Sequence, residues 1–313
     1  MLVRRHHSAD QTRYQDAARL AKTQRAVLRG TPGTIVRRSR GANHYWARQY
    51  IRVDGIKDDE YIGAASRVDA GTLEEWRNRV EESRVLARSS GELRMMGFQR
   101  MDKKPCAVIG AIFNSGLFDA GLTLVGSHAF GVLLNELGVL MSAYRTRDLD
   151  LARSAPLALA LPDDRDFLAV LNESQLKFVP VPGIPSNQPS TSFKLPGIAD
   201  LLVDLLVAGR DDDLGRVVSL PELHAHGQSI PFLPFLLADT MRAVVLGPNG
   251  ITPVSVPQPE RFALHKLASA ERRDRQIGKS GKDLEQAAIL IAALEADYPG
   301  RIADAWRKLP FNE

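Results

Sequence analysis

The sequence predicts a mixed α/β (α+β) fold: a mixed sheet in the core, an N-terminal helix and small β-meander before it, and a helical segment after it. Between residues 106 and 208, apolar helical segments alternate with short extended runs, which is typical of an α/β core. Residues 34–66 are rich in β-branched and aromatic residues, which indicates the meander. Residues 259–299 show two helical patterns joined by a basic loop. We therefore divide the chain into an N-terminal segment (1–105), a core of alternating helices and strands (106–208) and a C-terminal segment (209–313), which is expected to complete the functional site.

Composition indicates a globular protein that does not span a membrane. The chain has 313 residues, 44% of them hydrophobic, and no apolar run reaches the roughly 18 residues that a membrane span requires. The first residues, MLVRRHHSADQ, lack the apolar stretch of a secretory signal. Cys106 is the single cysteine, which excludes an internal disulfide framework and favours a cytoplasmic location.

Two helices are expected in the N-terminal segment. The first covers residues 8–29, with Ser8 as a plausible N-cap and Gly30 as the stop signal. The second covers residues 71–95, with Thr72 as cap and acidic residues in its first turn.

Arginine and aromatic side chains are interleaved along the predicted meander, which turn signals at 41–43 and 54–55 divide into three strands. Such a surface can hold phosphates and stack bases, but it can equally be the core of a small sheet with arginine stems over it. The first 60 residues carry 13 Lys and Arg against 6 Asp and Glu. This charge suits a polyanionic partner, or else forms a solvated basic surface.

The residue pattern of the core predicts an ordered series of helices and strands. The elements are a helix (106–121), a strand (122–127), a helix (128–138), a strand (145–152), a helix (162–174), an extended run (177–183), a loop (185–192) and a strand or strand pair (193–209) broken at Pro196-Gly197. Further short strands are expected at 216–223 and 243–256.

Paired acids on a strand are the first candidate site. Asp148 and Asp150 point to the same face because side chains alternate along a strand. Carboxylates this close repel unless a cation lies between them, and oxygen ligands favour Mg²⁺ or Mn²⁺, which arrive with phosphates. The alternative is an exposed strand end with solvated acids. A later apolar strand supplies Asp200 and Asp204, of which Asp204 is the better buried candidate for a third acid.

A phosphate-binding turn is the second candidate. Gly126 lies between a strand and a helix, where a glycine lets the backbone approach a ligand closely. The following helix N-terminus offers N–H groups, and Ser127 adds a hydroxyl donor.

This order of motifs resembles the nucleotidyltransferase superfamily with the polymerase-β-like palm. The closer resemblance is to bacterial nucleotidyltransferase-like proteins related to the abortive-infection AbiEii-type toxins. It is carried by LVGSHAF (124–130), TRDLDL (146–151), VDLL (203–206), Lys266-Leu267, Arg272, Lys282-Asp283-Leu284, and the meander elements Tyr45-Trp46 and Tyr61-Ile62-Gly63.

The resemblance implies roles for the acids and the turn. Asp148, Asp150 and Asp204 would hold the metal ions, and Asp204 would also act as base or orient the attacking hydroxyl. Gly126 and Ser127 would hold the β- and γ-phosphates.

It also implies roles in the C-terminal helices. Lys266 would reach the triphosphate, and Asp283 would position Lys266 or the acceptor. Taken without the resemblance, Lys266 is a surface lysine and Asp283 is an acid that complements a helix dipole. Arg48, Arg272 and Arg273 are candidate contacts to the acceptor, although the run ERRDR also fits a solvated face.

Histidines are interpreted as structural. His128 follows the phosphate turn, where capping or packing is favoured over ligand binding. His224 and His226 have no evident third metal ligand nearby and are interpreted as a loop or strand feature.

The resemblance therefore implies a Mg²⁺- or Mn²⁺-dependent enzyme that moves NMP from an NTP to a hydroxyl and releases pyrophosphate. RNA, often tRNA in such relatives, is the expected acceptor, with a role as toxin or defence effector and an antitoxin protein as a further partner. Two other functions stay open: nucleotidylation of a small molecule or a protein, and NTP binding without catalysis.

Overall fold

The computed structural model describes residues 3–142, 146–197, 201–209, 214–272 and 279–309. The helices in these ranges are α1 (Ser8–Lys22), α2 (Ala70–Met95), α3 (Lys103–Asn114), α4 (Gly126–Glu136), α5 (Phe167–Asn172), α6 (Leu233–Leu237), α7 (Pro259–Arg272), α8 (Lys279–Asp297) and α9 (Arg301–Trp306). The strands are β1 (Thr34–Arg40), β2 (Asn43–Ile51), β3 (Lys57–Ala64), β4 (Thr123–Val125), β5 (Asp148–Arg153), β6 (Val179–Pro180), β7 (Ser192–Lys194), β8 (Leu202–Ala208), β9 (Val217–Leu220), β10 (Ala225–Ile230), β11 (Thr240–Gly247) and β12 (Gly250–Pro257). Among the described residues, no helix combines the length and apolar character needed to cross a bilayer.

The predicted α+β class is confirmed, and a mixed sheet forms the centre of the molecule. Its main path runs β4-β5-β8-β10-β9, with β6 and β7 joined to it through β8. Strands β5 and β10 are both parallel to β8, whereas β4 is antiparallel to β5. Strands β9 and β10 lie beyond residue 208, so the sheet extends into the segment that we assigned to the C-terminal part.

For residues 193–209 the sequence left open one strand or a pair of strands, and the structure has the pair. Strands β7 and β8 pair antiparallel across the break at Pro196-Gly197. Alternation is regular in β8: Val203, Leu205 and Val207 are buried, and the residues between them are only partly so. One face of the sheet therefore packs on the core, and the other is free to carry polar groups.

The meander is confirmed as three antiparallel strands in the order β1-β2-β3. Helix α1 is shorter than predicted and ends at Lys22. The Gln24 side chain donates hydrogen bonds to the carbonyls of Ala21, at 3.1 Å, and of Ile251 in β12, at 2.9 Å. These contacts with the β11–β12 hairpin turn the chain where local propensity alone would continue the helix.

The starts of two helices, α2 and α5, differ from the sequence prediction for the same physical reason. Helix α2 is capped by Asp69, whose carboxylate accepts a hydrogen bond from the Thr72 N–H at 2.6 Å, so Thr72 is not the cap. Helix α5 starts at Phe167, where Asp166 accepts from the Ala169 N–H at 2.7 Å, and not near Pro162. In both cases an aspartate carboxylate satisfies N–H groups of the first turn.

Aromatic packing fixes the C-terminal helices against the core. Phe130 of α4 and Phe262 of α7 are both fully buried and stack with ring centroids 6.4 Å apart. Helices α7 and α8 pack on each other over much of their length. This arrangement brings the residues of α7 and α8 next to the N-terminus of α4, where the predicted phosphate turn lies.

Candidate active site

The three acids lie on one face at the centre of the sheet. Strands β5 and β8 pair so that Asp150 is directly opposite Asp204, and Asp148 lies two residues earlier opposite Leu202. Leu149 is 0% exposed on the core face, so the aspartates project from the other face. Neighbouring strands are about 4.8 Å apart, which places the Asp150 and Asp204 side chains beside each other. Asp200, the other acid considered, lies outside the described residues.

Gly126 makes room for the Asp150 carboxylate. It follows β4, whose last residue, Val125, pairs with Asp150, and its φ of +65° lies in the left-handed region. A Cβ on Gly126 would overlap the Asp150 carboxylate, lying 2.8 Å from its Cγ. Only glycine fits both the backbone conformation and this close approach. The N-terminus of α4 therefore lies directly against Asp148, Asp150 and Asp204, which we call the row of acids.

The first turn of α4 begins after a residue whose side chain cannot cap it. Val125 holds the N-cap position and makes no side-chain capping bond. Free N–H groups at a helix N-terminus attract anions, and the helix dipole adds to that preference. Ser127, in the same turn, lies partly exposed.

Lys282 joins this turn to helix α8. Its Nζ donates a hydrogen bond to Ser127 Oγ at 2.8 Å. Burial, and then the charge of Lys266, lower the pKa of Lys282, while the charges of Asp283, Asp148 and Asp150 act in the opposite direction. The ammonium group thus lies within electrostatic range of two of the three acids. Sequence reasoning gave Lys282 no role in the site, although it is the first residue of the motif Lys282-Asp283-Leu284.

Lys266 and Asp283 form a buried ion pair between α7 and α8. The Nζ–Oδ1 distance is 2.7 Å, and the side chains are 11% and 4% exposed. The Lys266 ammonium also lies 5.4 Å from the centre of the Phe262 ring. Lys266 is therefore held in place by Asp283, one of the two roles expected for that acid, and is not a surface lysine.

Removing one partner of this pair is expected to destabilise the fold. Asp283→Asn should lower the free energy of unfolding by about 2 to 3 kcal/mol, because it leaves the Lys266 charge buried without its counterion. Denaturant unfolding measures this change. Glu285→Gln, an exposed acid two residues further along α8, is the matched control and should change the value by less than about 0.5 kcal/mol. Equal effects of the two substitutions would contradict a structural role for the pair.

His128 lies one residue beyond Ser127. Burial lowers its pKa to about 4, and the neighbouring charges of Asp102 and Lys282 act in opposite directions. Its Nε2 is buried and has no hydrogen-bond partner among the described residues. The neutral ring thus belongs to the packing of α4, as interpreted from the sequence, and its Nε2 faces a cavity described below.

Lowering the pH should destabilise the folded protein because of His128. Between pH 6.5 and about 4, the unfolded chain binds a proton at this ring and the folded protein does not, so stability falls as the pH is lowered through this range. The loss is at most about 3 kcal/mol. Denaturant unfolding at the two ends of this range should show a smaller pH dependence for His128→Gln. His7→Gln, at an exposed position, should keep the full dependence; an unchanged profile in His128→Gln would refute this cause.

Arg48 is corrected from an acceptor contact to a structural residue. It is 0% exposed, pairs with Glu60 at 2.7 Å, and donates to the carbonyls of Arg29, Thr31 and Pro32. Its guanidinium also lies 4.1 Å from the centre of the Tyr50 ring. A buried guanidinium with these partners holds the meander to the chain before it and has no surface left for an acceptor.

The other predicted contacts have different outcomes. Arg272 is the last residue of α7, and Arg273 lies outside the described residues. His224 has a left-handed backbone (φ 46°) after a short turn, and its Nε2 lies 3.4 Å from the Leu161 carbonyl oxygen. His226 is in β10, so this pair is a turn-and-strand feature, as interpreted from the sequence.

The carboxylates of Asp150 and Asp204 suit an ion such as Mg²⁺, although they would supply only part of its ligands. Across the part of the chain that the structure describes, no three His, Cys, Asp or Glu side chains form a cluster that could hold a metal. Mg²⁺ commonly binds one or two carboxylates and takes its remaining ligands from water and substrate phosphates. Asp150 and Asp204, in register beside the N-terminus of α4, fit that requirement.

A mixed sheet with paired acids and an adjoining Gly-Ser turn is the arrangement that the resemblance to nucleotidyltransferases led us to expect. A family model described as Nucleotidyltransferase matches residues 104–310, about two thirds of the chain. The chain therefore belongs to this nucleotidyltransferase family, and the predicted superfamily is confirmed.

Comparison with solved structures finds an antigenic nucleotidyltransferase-like protein from Paracoccidioides brasiliensis. The two are 15% identical over a match that covers 66% of this chain and 86% of that chain, with a TM-score of 0.33. Among curated proteins, none matches the chain.

Proposed function

We propose that this protein transfers NMP from an NTP to a hydroxyl group of RNA and releases pyrophosphate. The observation that carries the proposal is the placement of Asp150 opposite Asp204, directly against Gly126 at the N-terminus of α4. A row of carboxylates next to an anion-binding helix start suits a substrate that is a polyphosphate accompanied by a divalent cation.

Each site residue then has a defined task. Asp150 and Asp204 would hold Mg²⁺ or Mn²⁺, which when bound neutralises the charge of the triphosphate, and Asp148 would add negative charge on the same face. The first-turn N–H groups of α4 and the Ser127 hydroxyl bind the β- and γ-phosphates. Lys282, already bonded to Ser127, adds positive charge at the same point.

The transfer itself needs one proton acceptor. The acceptor hydroxyl oxygen bonds to the α-phosphorus, and the bond from that phosphorus to the α–β bridging oxygen breaks. Pyrophosphate leaves with the electron pair of the broken bond. Asp204 takes the hydroxyl proton and passes it to water, which balances the reaction. Lys266, fixed by Asp283, contributes a positive charge from the α7 side.

RNA is favoured as acceptor by charge. The first 60 residues are strongly basic, and phosphodiester backbones bind such surfaces. A relation to AbiEii-type toxins, a role as toxin or defence effector, and a protein antitoxin as partner all belong to this proposal and rest on the motifs from Gly126 to Asp283.

Incubation with each α-labelled NTP, Mg²⁺ and total cellular RNA tests the proposal. We expect label to appear in RNA with the wild-type protein and not with Asp148→Ala, which removes the exposed acid at the start of β5. Label in protein or in a small molecule would instead support one of the other transfer reactions. NTP binding without any labelled product would identify a non-catalytic nucleotide-binding protein.

A further inference from the structure

A basic groove adjoins the row of acids on the side of the α2–α3 connection. One cavity, of about 400 Å³, lies between residues 94–102 and helix α4, and a second, of about 480 Å³, lies between residues 100–105 and the start of β5. Both are lined by Arg100, Met101, Asp102 and Thr146, so they are parts of one depression.

Charge is strongly asymmetric in this depression, which we call the basic groove. Among the described residues that line it, Asp102 is the one acid, against five cations: Arg94, Arg100, Lys103, Lys104 and Arg147. Burial, and then the charge of Arg94, lower the pKa of Arg100. Like charges placed together in a concave surface favour an anionic ligand.

The groove ends at the catalytic acids. Thr146 and Arg147 directly precede Asp148, and the Thr146 hydroxyl accepts a hydrogen bond from the Asp148 N–H at 3.4 Å. The Arg147 carbonyl accepts from the N–H of Leu202, at the start of the strand that carries Asp204. His128, next to Ser127, lines the other part of the groove, and its unpartnered Nε2 is buried there.

We propose that the basic groove binds the phosphodiester backbone of the acceptor RNA and presents its terminal hydroxyl to the row of acids, where Asp204 accepts the proton. This inference rests on the proposed function and names the surface that it needs. The groove is favoured over the meander, which was the surface expected from the sequence. The described residues that line the meander cavity belong to 37–66, whereas the groove is lined by Thr146 and Arg147, which directly precede Asp148 at the start of β5.

Two double variants of equal charge distinguish these surfaces. Lys103→Gln/Arg147→Gln changes the groove, and Arg37→Gln/Arg40→Gln changes the meander; all four side chains are exposed. Fluorescence anisotropy with a labelled RNA oligonucleotide, over a range of salt concentrations, measures affinity. Calorimetric titration with NTP and Mg²⁺ measures the nucleotide site separately.

We expect the groove variant to bind RNA about tenfold or more weakly, with a salt dependence flatter by roughly 1.4 in log–log slope for two lost phosphate contacts. The meander variant should bind RNA within about twofold of wild type. Both should bind NTP as wild type does. A loss in the meander variant alone, or equal losses in both, would overturn the assignment of the groove. If the wild-type protein labels no RNA, the proposed function fails; if it labels RNA and the groove variant labels it equally well, only the groove inference fails.

Discussion

Asp150→Asn is expected to reduce NMP transfer by roughly 10³-fold or more. Asp150 is the centre of the row of acids: it faces Asp204 across β5 and β8 and lies against Gly126. Replacing one carboxylate oxygen by an amide removes a negative charge at the point where the triphosphate and its cation must bind. The side chain keeps its shape, so the sheet should not be disturbed.

Single-turnover transfer of labelled NMP measures this effect, and thermal unfolding shows whether the fold is retained. Asp16→Asn is the matched control, because Asp16 is an exposed acid on α1 that pairs only with Arg19 among the ion pairs described. It should leave both transfer and melting temperature unchanged. Transfer within a few-fold of wild type in Asp150→Asn would show that the site has been assigned to the wrong acids.

Gly126→Ala is expected to lower both activity and stability. A left-handed backbone costs a residue with a Cβ about 1 to 2 kcal/mol. The added methyl group would also displace the Asp150 carboxylate, whose Cγ it would approach to 2.8 Å. Because productive geometry is sensitive to small displacements, we expect transfer to fall by about 100-fold or more.

A substitution at a second glycine separates the effect of backbone strain from the effect of displacing the Asp150 carboxylate. Gly41, in the β1–β2 turn, has nearly the same φ of +62°, but a Cβ there would meet nothing within 4 Å. Gly41→Ala should therefore lose stability to a similar degree and keep its transfer activity. If Gly126→Ala retains activity while both variants lose equal stability, the close approach of Gly126 to Asp150 is not needed for the reaction.

The elements that carry the candidate site residues could be predicted because their signals are local. Asp148 and Asp150 share a face by the alternation of one strand, and Gly126-Ser127 is a turn between adjacent elements. The structure places these residues in such elements, and it brings Asp204 to them through the parallel pairing of β5 and β8. Their catalytic and metal-binding roles stay predictions that the substitutions above test.

The interactions that sequence reasoning missed join distant parts of the chain. Lys282 reaches Ser127 from a helix far along the chain, and no local pattern specifies that hydrogen bond. Arg48 was a candidate contact to the acceptor, yet Glu60 and three carbonyls satisfy its buried guanidinium. Burial of a charge depends on the partners that surround it, and these are known only once the chain is folded.

The amino-acid sequence by itself determined the α+β class, the three-stranded meander, and the strand and turn that carry Asp148, Asp150 and Gly126. Only the tertiary structure decided that Asp150 faces Asp204, that Lys266 is buried against Asp283, and that basic residues from 94 to 104 form one groove with Arg147. The reason is physical: periodicity and turn chemistry act over a few neighbouring residues. Register between strands, packing of helices and the sum of charges in a cavity are set by contacts between residues far apart in the chain.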